Sequence, residues 1–438
     1  MGNIPREICF LKQLKFIAVH ANKLSGTFLS CLYNMSSLTG ISLAANSFSG
    51  SLPPNMFNTL PNLYFYGIGG NQFSGPIPTS ISNAYTLLRF DIGDNHFVGQ
   101  VPCLGKLQKL SSLSLEDNKL GDNSSKDLEF LKSLANCSQL YSLSVINNNF
   151  GGSLPNLIGN LSPGLSELYI GGNQIYGKIP IELGNLTSLI LLTMDNNRLE
   201  GTIPKTFGMF QKIQYLGLGG NRLSGDIPAF IGNLSQLYYL ELSENKLEGN
   251  IPPNIGNCQK LQYLNFSQND LRGSIPLEIF SISPLSNLDL SRNMLNDRLP
   301  KEVGMLKSIE EVDVSENRLF GDIPGTIGEC TVLQVLQLQG NSFNGTIPSS
   351  LSSLKGLRYL DISRNKLFRP IPNVMQNISS LEYLDVSFNM LEGEVPTDGV
   401  FGNATRVAII GNNKLCGGIS ELHLPPCPIK GRKHKKKP

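Results

Sequence analysis

The sequence predicts a solenoid: one elongated array of stacked coils, each with a short parallel strand on one side and a short 3-10 or helical turn on the other. Three observations predict it. Sixteen asparagines, from Asn22 to Asn389, recur at steps of 24, 25, 24, 23, 30, 25 and then 24 throughout, and Asn413 falls one further step of 24 on. Each closes a phrase L-x-x-L-x-L-x-x-N, as in 237–245 and 357–365. A second phrase, L-x-G-x-I-P, returns in nearly every repeat, as in 199–204 and 223–228. A period in this range marks units that bury their apolar face only against their neighbours.

The elements of one coil follow in order from residues 237–260. Leu240 and Leu242 alternate with Tyr239, Glu241 and Ser243, the period-two pattern of a strand with one buried face. Asn245 ends that strand. A small amide at a fixed inward position can bond backbone groups of its own and the adjacent coil. Its loss would leave buried groups unpaired at roughly 1–3 kcal/mol. Leu247 then turns inward, Gly249 permits a tight bend, and Ile251-Pro252 fixes an extended stretch. Ile255 is the next inward residue before Leu261 opens the following coil. These Leu, Ile and Asn positions are core. Function is to be sought at the strand positions that point away from it.

The two phrases and the 24-residue step resemble the plant extracellular class of leucine-rich repeats. Within that class the chain resembles the ectodomain of a plant leucine-rich-repeat receptor-like serine/threonine kinase. The long repeat at 121–139 resembles the subgroup of bacterial-elicitor immune receptors. The resemblance covers about residues 2–430. It implies a leucine-rich-repeat solenoid of the α/β horseshoe class, wound as a right-handed superhelix. The domains expected are an incomplete N-terminal coil (1–13), sixteen repeats (14–404), a C-terminal cap (405–427) and a basic juxtamembrane-like tail (428–438). Asp297 and Arg369 stand where Gly is usual, at what should be a tolerant surface bend.

Composition narrows the function. A chain of 438 residues would ordinarily form two or three globular domains, but the unbroken repeat argues for one array. The formal charge is +2, and Lys430, Arg432, Lys433, Lys435, Lys436 and Lys437 carry +6, so the rest is near −4. That balance gives no basic face for nucleic acid. His20, His96, His423 and His434 are scattered without an acid or nucleophile at motif spacing, so no catalytic residue and no cofactor are expected. The eight cysteines have no metal-ligand spacing. Cys137, Cys258 and Cys330 fall in a buried slot. Cys9, Cys31 and Cys103 are expected to be free, with a Cys9–Cys31 bridge between neighbouring coils as the alternative. The resemblance implies a Cys416–Cys427 disulfide in the cap, and with it an oxidising compartment.

Ten N-x-S/T sequons stand at Asn34, Asn123, Asn136, Asn160, Asn185, Asn233, Asn265, Asn344, Asn377 and Asn403. Asn34, Asn136, Asn185, Asn233 and Asn377 share one slot, four residues before the strand-opening Leu, off the concave face. Asn265 instead occupies an outward strand position, where a glycan would mask part of its repeat. No secretory leader, no apolar run of ~18 residues and no kinase signature is recognised. The chain therefore reads as part of a longer receptor-like product whose membrane helix and kinase lie elsewhere. An exposed apolar edge is expected at its N-terminus. The basic tail reads as a solvated end, a stub before a membrane helix, or a nuclear signal.

On the concave face, the strands of repeats 12–16 mostly keep one text, as in 288–293 (LDLSRN) and 360–365 (LDISRN). Repeats 3–11 depart from it. They offer Tyr64, Phe65, Arg89, Asp91, Glu116, Asp117, Tyr141, Glu167, Tyr169, Asp195, Tyr215, Tyr238, Tyr239, Glu241 and Tyr263. Gly67, Gly69, Gly70, Gly93, Gly171, Gly172, Gly217, Gly219 and Gly220 flank them. Aromatics beside small residues on a rigid sheet make shallow pockets for an extended peptide or a protein. The resemblance further implies a shorter leucine-rich-repeat co-receptor kinase near the last repeats, around Arg358, Glu382, Tyr383 and Phe388. The leading expectation is a receptor ectodomain at the outer face of the plasma membrane that recognises a peptide or protein, including a pathogen elicitor. The competing ones are a soluble inhibitor of a secreted cell-wall-degrading enzyme and a truncated gene product without function.

Overall fold

The computed structural model describes residues 2–428, so the tail at 429–438 lies outside the described residues. The chain divides into two compact units, Met1–Lys246 and Leu247–Pro438, each a stack of leucine-rich-repeat coils. In the first unit ten three-residue strands pair in parallel, from Phe16–Ala18 to Tyr239–Glu241. The register never slips: Phe16, Gly40, Phe65, Arg89, Ser112, Ser142, Glu167, Leu191, Tyr215 and Tyr239 are successive partners. The second unit does the same from Tyr263–Asn265 to Val407–Ala408. The inward residue of each strand, such as Leu192, Leu216 or Leu288, is buried.

The ladder asparagines knit each coil to the one before. Asn221 Nδ2 donates to its own coil at Leu218 O (3.1 Å) and Gly219 O (3.0 Å), and to Met194 O of the preceding coil (3.0 Å). Its Oδ1 accepts the Leu199 N–H at 3.0 Å. The pattern recurs at Asn71, Asn95, Asn197, Asn293, Asn317 and Asn365. The ladder also runs one coil further, by a different residue from the one expected. Asn412, not Asn413, is buried and bonds Val386 O, Ile409 O and the Leu391 N–H. The physical reason is that the ladder Asn must follow the last inward strand residue by three. Ile409 is that residue here, as Leu242 is for Asn245.

A second set of short strands follows the ladder Asn, where the sequence pattern predicts only a bend and an extended stretch, in every coil but that of Asn148, which has only an isolated bridge at Ser153. In the first unit Ser25–Thr27, Ser47–Ser51, Gln72–Pro76, His96–Gly99 and Lys119–Leu120 form one such sheet. A turn of 3-10 helix follows the Pro in most coils, as in Lys205–Met209 and Pro253–Asn257. The two α-helices among the described residues are Met56–Thr59 and Glu129–Leu134, the latter within the long insertion. That insertion is anchored by Asp127, a residue that no repeat motif marks. The buried Asp127 accepts the N–H groups of Gly151 (2.8 Å), Ser124 (3.1 Å) and Asp122 (3.2 Å), together with the Ser124 hydroxyl and the Gln100 amide.

The expectation that Cys9 and Cys31 are free is corrected. They form a disulfide, because the turns Arg6–Phe10 and Leu32–Asn34 bring their Cα atoms to 5.8 Å. Cys416 and Cys427 are bridged too, with Cα atoms 4.9 Å apart. Cys137, Cys258 and Cys330 are buried and lie outside these disulfides, as does the exposed Cys103. Burial pushes the three buried thiols up to about 11. The apolar N-terminal edge is present, with Phe10 78% and Leu11 54% exposed. Asp297 and Arg369 adopt φ of +89° and +76°, the left-handed conformation that Gly supplies in other coils.

Candidate functional site

The outward strand residues stand on a scaffold whose geometry is set entirely by the core beneath them. All fifteen strand-face candidates reach the surface. Tyr64, Arg89, Asp117, Tyr141 and Tyr238 are exposed, and Phe65, Asp91, Glu116, Glu167, Tyr169, Asp195, Tyr215, Tyr239, Glu241 and Tyr263 are half-buried. The register divides those of the first unit into two groups. Phe65 and Tyr215 are six partners apart, about 29 Å at ~4.8 Å per strand. Tyr263 belongs to the second unit.

The first group centres on Phe65. Its ring lies 6.0 Å from that of Phe16, a residue of the first strand that the variation among repeats 3–11 does not single out. Gly40 lies between them in register, and a Cβ there would run into the Phe16 ring. The signal that would have found Phe16 is the register itself, Phe16↔Gly40↔Phe65, which needs all three coils aligned.

The second group is denser. Tyr215 and Tyr239 stack face to face, with centroids 4.0 Å apart and planes 6° apart. On the other side of Tyr215 a cavity of about 400 Å³ opens between Tyr169, Leu191, Thr193, Asp195 and Tyr215. Burial raises the carboxyl pKa of Asp195, against hydrogen bonds from the Thr193 hydroxyl and the Gly219 N–H. Burial also raises the phenol of Tyr169, reinforced by Glu167 and Glu116.

Not every outward acid is equivalent. Asp91 and Glu241 accept the N–H two residues on in their own turn, from Gly93 (3.1 Å) and Ser243 (2.7 Å). Asp289, Asp313, Asp361 and Asp385 do the same in the second unit. That bond is part of the coil's own scaffold. Asp195 instead reaches the next coil, where its Oδ1 accepts the Gly219 N–H at 2.7 Å.

The flanking glycines also divide. Gly70, Gly172 and Gly220 directly precede ladder asparagines and have φ of +65°, +64° and +62°. In other coils the same left-handed position holds Asp94, Asn196 or Glu244. These three glycines therefore serve the turn. Gly171 and Gly217 open space on the face: a Cβ on Gly217 would collide with the Asp195 carboxylate.

Near the C-terminal coils, Arg358 Nε and Glu382 Oε1 pair at 2.9 Å on the surface, and Tyr359 and Tyr383 stack at 5.1 Å. Phe388 is 58% exposed, and Met390 and Ile410 are exposed as well. Nine sequon asparagines are exposed. Asn265 is half-buried, and its Oδ1 accepts the Ser267 N–H at 2.9 Å. Among the described residues no helix is long and apolar enough to cross a membrane.

The leucine rich repeat family profile matches residues 331–391, and a second leucine rich repeat profile matches 164–186, 212–234, 236–258 and 260–282. Among curated proteins, the Arabidopsis thaliana LRR receptor-like serine/threonine-protein kinase EFR is 48% identical over 90 residues, 20% of this chain and 9% of that protein. The LRR ectodomain of the plant membrane receptor kinase GASSHO1/SCHENGEN3 from Arabidopsis thaliana, solved in complex with CASPARIAN STRIP INTEGRITY FACTOR 2, is 35% identical with a TM-score of 0.85. The match covers 98% of this chain and 53% of that one. The Arabidopsis receptor kinase HAESA, solved with the peptide hormone IDA and the co-receptor SERK1, is 26% identical with a TM-score of 0.57, covering 95% of this chain and 89% of that one. This chain thus matches less than a tenth of the curated kinase and about half of the GASSHO1/SCHENGEN3 ectodomain.

Proposed function

We propose that this solenoid of leucine-rich repeats, similar to the ectodomains of plant receptor kinases, is the ligand-binding part of such a receptor. In that reading it faces the outside of the cell and signals through a membrane helix and a kinase domain elsewhere in the same product. The ligand is a peptide or a protein, with a pathogen elicitor as the finer reading. One observation carries the reading: the outward strand text becomes aromatic and acidic around a cavity beside the Tyr215–Tyr239 stack, on a face the core does not need. A rigid parallel sheet can contact an extended peptide with one or two side chains per coil. The exposed apolar residues Phe388, Met390 and Ile410, together with the Arg358–Glu382 pair and Tyr383, are offered as the surface for a shorter leucine-rich-repeat co-receptor. The exposed sequons at Asn185 and Asn233 end 3-10 turns, so glycans there would leave the strand face clear, whereas Asn265 stands on a strand. Binding of elicitor peptides and secreted plant peptides to the full chain, measured by calorimetry, tests the proposal. Tyr215→Ala with Tyr239→Ala should weaken any ligand at least tenfold. Unchanged affinity in that double variant would remove the site assignment.

A further inference from the structure

We infer that the cavity over Thr193 is a subsite for one cationic side chain of the ligand, a Lys or Arg held between tyrosine walls with Asp195 as its counter-ion. This rests on the strand face being the ligand-binding surface. The cavity of about 400 Å³ is walled by Tyr169, Leu191 and Tyr215 and floored by Gly171 and Thr193. Small residues are what keep it open. A Cβ on Gly171 would lie 3.0 Å from Asp195 O and 3.2 Å from Thr193 Oγ1. The Asp195 carboxylate lies over Gly217 and is oriented by the Thr193 hydroxyl (2.5 Å) and the Gly219 N–H (2.7 Å). A carboxylate has about four acceptor sites, so two bonds orient it and leave capacity for a donor from a ligand. Tyr239 covers the face of Tyr215 on the side away from the Asp195 coil. The cavity therefore offers a donor an aromatic wall and an oriented acceptor together, the pairing that suits an ammonium or guanidinium.

The surroundings select the sign of the charge. The segments 111–117, 141–147, 166–172, 190–196, 214–220 and 238–244 contain Glu116, Asp117, Glu167, Asp195, Glu241 and Glu244, and no Lys or Arg. An anionic ligand group would be repelled there. An apolar side chain would strip water from Asp195 without replacing its hydrogen bonds, which is costly for a charged group.

A random peptide library displayed on phage and selected on the full chain tests the assignment. Selected peptides should carry Lys or Arg at one fixed position. Affinity should fall at least tenfold with Asp195→Asn on the protein. It should fall equally when the peptide's Arg becomes citrulline or its Lys becomes norleucine, a comparison that needs no protein variant. Selected peptides with no fixed basic residue, or with one indifferent to both changes, overturn the cationic subsite. If Tyr239→Ala still weakens those peptides, the strand-face reading survives that result. Failure to select any peptide sensitive to strand-face substitutions overturns the strand-face reading, and the subsite with it.

Discussion

Replacing Asn221 by Ala tests the physical account of the whole array. The side chain is 8% exposed and makes four hydrogen bonds, two within its coil and two to the coil before. Truncation leaves the Leu199 N–H without its acceptor in the interior, whereas the Met194 carbonyl keeps the Asn197 amide. For one stranded group the cost is about 1–3 kcal/mol. Asn22 supplies the control. It is exposed and bonds only Val19 O and His20 O of its own coil, so Asn22→Ala should cost less than ~1 kcal/mol. Asn221→Asp should cost at least as much as Asn221→Ala, because an ionised carboxylate cannot donate to the three carbonyls. Urea unfolding gives the difference in stability. Because coupling in a solenoid is to nearest neighbours, the damage should also be local. Amide exchange at Leu199 should accelerate while that at Phe343, bonded to Asn365 in the other unit, stays unchanged. Equal costs for Asn221→Ala and Asn22→Ala, or unchanged exchange at Leu199, would refute the reasoning.

Four further outcomes are expected. For Asp127, burial alone would raise the carboxyl, but hydrogen bonds led by the Gly151 N–H outweigh it and hold the pKa below the ordinary value. Its contribution is therefore in place above the unfolded value near ~4 and is lost as pH falls through the lower folded value. The acid unfolding of Asp127→Asn should lack that component, with a loss of about 2–4 kcal/mol at neutral pH. Asp313 behaves oppositely: burial, aided by Asp289 and Glu311, pushes it up to about 6 against hydrogen bonds from Ser315. Its contribution is full below the unfolded value and is lost as pH rises through about 6, so Asp313→Asn should flatten stability across that window. A carboxyl NMR titration midpoint near ~4 for Asp313, the ordinary carboxylate value, would contradict this. Arg369→Gly should stabilise by about 0.5–1 kcal/mol, because φ of +76° is strained for Arg. Gly321→Ala, at φ of +81°, should destabilise by about 1–2 kcal/mol, both read from urea midpoints.

The repeat length, the strand face and the inward Leu and Asn positions were legible because a 24-residue period repeats one local arrangement many times. Wherever a coil departs from that arrangement, the sequence stopped being informative. Asn412 and Asn413 are equally good amides, and only the burial of Ile409 chooses between them. Nothing in the spacing of Asp127 marks it as the anchor of the insertion, because its partners Gln100 and Gly151 lie 27 and 24 residues away.

By itself the sequence determined the coil, its parallel strand, its Asn column and which residues face outward. Those follow from alternation within a few residues and from a fixed step between coils. Only the tertiary structure decided the Cys9–Cys31 bridge, the second sheet beyond the Asn column, and the cavity joining Tyr169, Asp195 and Tyr215. The reason is that each depends on side chains from two or three coils meeting at a shared distance. Local pattern sets the face on which a residue stands. Only stacking sets which neighbour it meets, and so separates the scaffold acid Asp91, bonded within its own turn, from Asp195, which spans two coils.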